Sequence, residues 1–119
     1  MCAVAEEMHP RLVHPARRED RALKQTLIEM AEATGAEAFA RQQRAIMSRA
    51  DSRPLLGAIA CPVLVLVGDG DQLTPPELAR EIAAAIPSAE LEIVRECGHL
   101  STFEQPEAVT AALLSAWDR

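Results

Sequence analysis

Three side chains in this sequence have the chemistry and the placement to move protons: Asp69, Asp71 and His99. Each stands on a loop just after a run that reads as a strand. Val63 to Val67 precedes the two acids, and Leu91 to Val94 precedes the histidine. In open α/β sheets, ligands bind outside the carboxyl ends of the strands, so both loops open onto one edge. With the strands side by side, Asp71 and His99 come within hydrogen-bond reach. An aspartate that holds one imidazole nitrogen fixes the tautomer and supports the imidazolium formed during proton abstraction. The residues alone leave a second reading open, in which Asp71 caps a turn or helix and His99 is an ordinary loop histidine.

Other chemistry is less well supported. Asp69-x-Asp71 hints at a calcium loop, but Thr74 stands where the turn glycine belongs and Arg80 where the bidentate glutamate belongs. His9 and His14 have no third ligand nearby and read as surface or packing residues. Cys97 lies two positions before His99 and is considered as a nucleophile, yet its side chain is expected in the core, where free cysteine is usually found.

The elements that must position these residues fall into two halves. Between Arg17 and Arg49 the pattern is helical, with Leu23, Leu27, Ile28, Met30 and Ala31 forming one apolar stripe. Gly35 breaks this helix, and a second begins near Ala36 with Phe39, Gln43, Ile46 and Met47 on one face. Asp51-Ser52-Arg53-Pro54 reads as a turn. The period then changes. Val63-Leu64-Val65-Leu66-Val67 is the continuous apolar run expected of a parallel strand covered on both faces. Gly68-Asp69-Gly70-Asp71 is a sharp loop, and Thr74 or a neighbour caps a helix opening on Pro75-Pro76-Glu77 and closing before Pro87. Leu91 to Val94 and a last helix from Pro106 to Trp117 complete a strand-helix-strand-helix order, the sign of α/β layers. Two strands are too few for such a layer. A neighbour is expected on the open edge of the first.

The chain has 119 residues, enough for one domain, with 49% hydrophobic and 25% charged side chains, which excludes intrinsic disorder. The net charge of −6 argues against a nucleic-acid partner. No apolar run is long enough to cross a bilayer, so no membrane association is expected. Glu6, Glu7 and His9 occupy the place of a signal peptide's apolar stretch, and a cytoplasmic location is the expectation. Cys2, Cys61 and Cys97 are odd in number and without CxxC spacing, and read as reduced thiols.

The stretch from Ile59 through Trp117 resembles the C-terminal portion of an α/β-hydrolase. The likeness rests on Val63-Leu64-Val65-Leu66-Val67-Gly68, Asp69-Gly70-Asp71, Cys97-Gly98-His99-Leu100, Glu104-Gln105-Pro106 and the closing helix, in that order. Residues 1–58 resemble, less specifically, the helical cap of such an enzyme and its return to the sheet. The resemblance implies a partial α/β-hydrolase fold: a helical cap segment over 1–53, then two C-terminal parallel strands with flanking helices over 54–119. It implies that Asp71 is the acid and His99 the base of a Ser-His-Asp triad, and that Gly98 lets the backbone turn the histidine toward the nucleophile. Met30, Phe39 and Met47 become the cap residues expected to touch substrate. The implied substrate is a small ester, lactone or similar carbonyl compound, with no metal or organic cofactor. No serine here has the flanking glycines of the G-x-S-x-G elbow that carries the nucleophile in this family, and no H-G oxyanion loop occurs. The resemblance therefore implies an enzyme's C-terminal part, inactive by itself, with an N-terminal half or a second copy as partner. The rival expectation is a non-catalytic half-domain that pairs through its open sheet edge.

Overall fold

The computed structural model describes residues 1–118. Its elements run α1 (Cys2–Leu12), a 3-10 turn at Pro15–Arg17, α2 (Arg21–Met47), a 3-10 turn at Arg53–Ala58, β1 (Val63–Gly68), α3 (Pro76–Ala85), β2 (Ala89–Val94), α4 (Ser101–Glu104) and α5 (Pro106–Trp117). The α/β order and both strands are those expected, with β2 beginning two residues earlier.

The N-terminal segment, where no helical pattern is read before Arg17, forms α1. Pro10 lies in the last turn of that helix, where its missing N–H removes a single intrahelical bond. α2 starts at Arg21, later than the expected Arg17, because the Asp20 carboxylate accepts the Leu23 N–H at 3.0 Å and caps the helix there. Gly35 does break the helix as expected. At φ 75° and ψ 159° it leaves the helical region, so α2 is two helical segments across a kink. α1 and α2 pack together and bury Ala5, His9, Leu23 and Leu27. Burying a leucine side chain contributes about 1.5–3 kcal/mol, so this contact is what holds the two helices as a pair.

β1 and β2 are parallel, in register from Val63 opposite Ala89 to Gly68 opposite Val94. The two strands thus end level, which starts the two loops from the same height. α3 and α5 both pack on the pair. Only Val67 and Gly68 of β1 are fully buried, a correction to the expectation of a strand covered on both faces. The cause is the sheet's width: among the described residues it has two strands, so the far edge of β1 has no partner. Apolar side chains elsewhere are also uncovered, including Leu113, Leu114 and Trp117 of α5, the last 89% exposed.

Candidate active site

The two loops at the carboxyl ends of β1 and β2 are tied together by backbone. The Asp69 N–H donates to Val94 O at 2.9 Å and the Gly70 N–H to Cys97 O at 2.8 Å. Between them, Asp71 Oδ2 lies 2.9 Å from His99 Nδ1. The Asp71 Oδ1 atom accepts the Leu73 and Thr74 N–H groups, each at 2.9 Å, and Oδ2 accepts the Thr74 hydroxyl at 3.0 Å. Burial alone would raise this carboxyl, but the Thr74 N–H, the His99 ring and the Thr74 hydroxyl outweigh it and hold Asp71 below the ordinary carboxylate range. Asp71 is buried while the His99 side chain is one-third exposed. An anion fixed by three protein donors therefore faces Nδ1. Among the described residues nothing bonds Nε2, which leaves that nitrogen to accept a proton from a reacting group.

The cap position of α3 falls to Pro75, the neighbour of Thr74, with no side-chain cap; Thr74 gives its N–H and hydroxyl to Asp71 instead. Asp69 has another partner: its Oδ1 accepts the Cys97 N–H at 3.2 Å. Cys97 is fully buried, as expected. Burial, with Glu104 and Asp69 nearby, pushes its thiol up to about 11, so it is not a thiolate at neutral pH.

Sequence reasoning gave Glu104 no role, yet its buried carboxylate accepts the His14 N–H at 2.7 Å and the Gly98 N–H at 3.0 Å. A glutamate five residues after His99 and two before Pro106 was the available signal. Gly98 has no room for a side chain. Its φ is not positive; a Cβ there would stand 2.5 Å from the His14 nitrogen and 2.9 Å from Glu104 Oε2. Close approach of the chain, not a left-handed turn, excludes a side chain.

A cavity of about 510 Å³ opens on His99, Asp71 and Thr74 and reaches the unpaired edge of β1 at Val65, Leu66 and Val67. Met30 and Phe39 share a second, apolar cavity of about 410 Å³ with Met8, Leu12, Leu27 and Leu100. No residue lines both cavities, and Met30 and Phe39 do not line the imidazole's own. Met47 is 77% exposed and lines neither. Among the described residues, no group of three or more His, Cys, Asp or Glu is placed to hold a metal, and no helix is long and apolar enough to cross a membrane.

Two parallel strands thus present an aspartate and a histidine hydrogen-bonded to it at their carboxyl ends. The chain belongs to the alpha/beta hydrolase family, matching it over residues 3–112. It is 46% identical over 61 residues to the "Putative non-heme bromoperoxidase BpoC" of Mycobacterium tuberculosis, a match covering 51% of this chain and 23% of that protein. It is 32% identical over 65 residues to the 2-hydroxy-6-oxononadienedioate/2-hydroxy-6-oxononatrienedioate hydrolase of Klebsiella pneumoniae, covering 55% and 23%. In three dimensions it is similar to a thermophilic esterase from Thermogutta terrifontis, with a TM-score of 0.87 and 36% identity over 95% of this chain and 42% of the esterase. The chain thus spans less than half the length of these relatives.

Proposed function

We propose that this chain is the C-terminal part of a serine-type α/β-hydrolase acting on an ester, lactone or similar carbonyl compound. The observation that carries the reading is the 2.9 Å contact between His99 Nδ1 and buried Asp71 at the ends of paired parallel strands. In the complete site, His99 Nε2 takes the proton of a serine hydroxyl supplied from outside these residues. Asp71 holds the Nδ1–H tautomer and supports the imidazolium, which then protonates the leaving group. Acyl-enzyme formation and its hydrolysis by water both use this pair, and no cofactor enters. Residues 1–53 act as the cap and 54–119 as core, with Met30 and Phe39 as the cap's substrate contacts; Met47, facing solvent, is the weakest of the three. Without nucleophile or oxyanion donors the chain alone is inactive, since the donors are usually the largest catalytic contribution. The esterase identity of one similar structure supports an ester substrate.

The open edge of β1 and the exposed apolar side chains of α5 support a polypeptide partner, an N-terminal half or a second copy. The test is p-nitrophenyl acetate and butyrate hydrolysis by the chain alone and by the chain fused behind the portion of the Thermogutta terrifontis esterase that precedes the matched region. Activity is expected in the fusion only, and lost in His99→Ala and Asp71→Ala. A folded but inert fusion, or His99-dependent turnover by the unfused chain, would refute this reading. A stable homodimer and an inert fusion together would favour the non-catalytic half-domain.

A further inference from the structure

Glu104 is 2% exposed, and among the described residues no lysine, arginine or histidine lies within ion-pair distance of it. A buried carboxylate without a cation needs other partners. Here two backbone N–H groups fill that role, from segments far apart in the chain: His14 donates to Oε1 at 2.7 Å and Gly98 to Oε2 at 3.0 Å. Gly98 immediately precedes His99. The next two N–H groups, of His99 and Leu100, donate to Leu12 O at 2.9 and 3.2 Å. The chain around Leu12 to His14 and the loop around Gly98 to Leu100 are thus clamped twice, once by a backbone carbonyl and once by the Glu104 carboxylate. The lack of room for a Cβ at Gly98 leaves this clamp no slack.

We propose that Glu104 is a positioning residue for His99: by bridging the Gly98 and His14 N–H groups, its carboxylate fixes the backbone from which the imidazole reaches Asp71. The inference rests on reading His99 as the general base, but its test needs no turnover. The chain is labelled with 15N, and two quantities are read: the tautomer of the His99 imidazole and the hydrogen exchange of the Gly98 amide, with Val67 and Val94 as reference amides. In Glu104→Gln one carboxylate oxygen becomes an NH2 group facing an N–H donor. Gly98 exchange is expected to rise at least tenfold with the references unchanged, and His99 to pass from one Nδ1–H tautomer to a mixture of both.

A second pair of variants attacks the other end of the bridge. His14 has φ −58° and Val13 has φ −113° and ψ 153°, values that suit proline and the residue before it. His14→Pro therefore removes the donor without re-routing the chain, and its ring displaces the carboxylate; His14→Ala removes the imidazole and keeps the N–H. The proline variant should reproduce the Glu104→Gln effect and the alanine variant should not. Should Glu104→Gln fail to fold, the proline and alanine contrast decides alone. A His99 tautomer and a Gly98 exchange rate that stay at wild-type values in His14→Pro overturn the proposal, whatever Glu104→Gln does. A wild-type His99 lacking the Nδ1 proton would instead sink the hydrolase reading, so the two failures are distinguishable.

Discussion

Asp71→Asn replaces one atom and should reverse the chemistry of His99. The amide has one oxygen and one NH2 group to place where the carboxylate has two acceptors. Oδ1 of Asp71 accepts two backbone N–H groups, from Leu73 and Thr74, whereas Oδ2 meets His99 Nδ1 and the Thr74 hydroxyl. If the NH2 group took the Oδ1 position, two part-buried donors would lose their acceptor, at about 1 kcal/mol each, the low end of the range for an unmade hydrogen bond. The oxygen therefore stays at Oδ1 and the NH2 group faces His99. It donates to Nδ1, the ring's proton moves to Nε2, and the nitrogen that should accept a proton from the nucleophile already carries one. The same exchange of tautomer in a complete Ser-His-Asp enzyme costs about 10⁴ in kcat. The fusion enzyme carrying Asp71→Asn is expected to lose about that factor in p-nitrophenyl acetate turnover. The isolated chain should show an Nε2–H imidazole by 15N NMR. An Asp71→Asn chain that keeps the Nδ1–H tautomer, or a fusion within tenfold of wild type, would refute the argument from acceptor geometry.

Cys61 is exposed and Cys97 buried with its thiol pushed up to about 11, so a disulfide reagent at pH 7.5 should label Cys61 at once and Cys97 only on unfolding; mass spectrometry of the labelled peptides reads the difference. Val13 is fully buried, and Val13→Ala should lower unfolding free energy by about 1.5–3 kcal/mol, read from urea midpoints at unchanged slope. Burial, with Lys24 and Arg18 nearby, holds the His9 imidazole below its ordinary 6.5. The unfolded chain then binds the proton first, so His9's contribution is whole above pH 6.5 and lost as pH falls below it; His9→Leu should flatten that part of a urea-midpoint profile. Asp71 is likewise lowered from 3.8, so its contribution is present above that value and lost as pH falls through the lower folded one, a second decline that Asp71→Asn should abolish.

The parts legible in the sequence are those whose signal is local. Val63 to Val67 is a strand because five consecutive β-favouring side chains between Pro62 and Gly68 fit little else, and Gly35 announces its kink. The contact between Asp71 and His99 was legible because each stands on the loop that follows a strand. The fold gives neighbouring acids different partners: Asp69 and Asp71 stand two apart on one loop, yet one side chain turns to the Cys97 N–H and the other to His99. α1 was hidden by Pro10, which reads as a breaker unless its place in the last turn is known. Glu104 was hidden more deeply, because its partners are main-chain groups, one of them 90 positions away, and no side-chain pattern encodes them. Met30, Phe39 and Met47 share helical spacing, but the Gly35 kink stands between the first and the other two, and Met47 ends in solvent.

Four consecutive N–H groups, from Cys97 to Leu100, each find a tertiary acceptor: Asp69 Oδ1, Glu104 Oε2, and Leu12 O twice. Every one of those acceptors lies within this chain, and so does every partner of Asp71. The backbone of the histidine loop, which includes Glu96 at φ 48°, is therefore fixed without help from whatever pairs with the open edge of β1. Hydrogen bonds to carboxylates contribute about 1.5–3 kcal/mol each, enough to keep the acid and base aligned before any partner arrives. Under the proposed function, a completing polypeptide then has to supply a nucleophile, oxyanion donors and a strand, but not to assemble the proton relay. Complementation should accordingly appear as a gain of turnover with the His99 tautomer unchanged, because Asp71 already meets Nδ1 in the isolated chain.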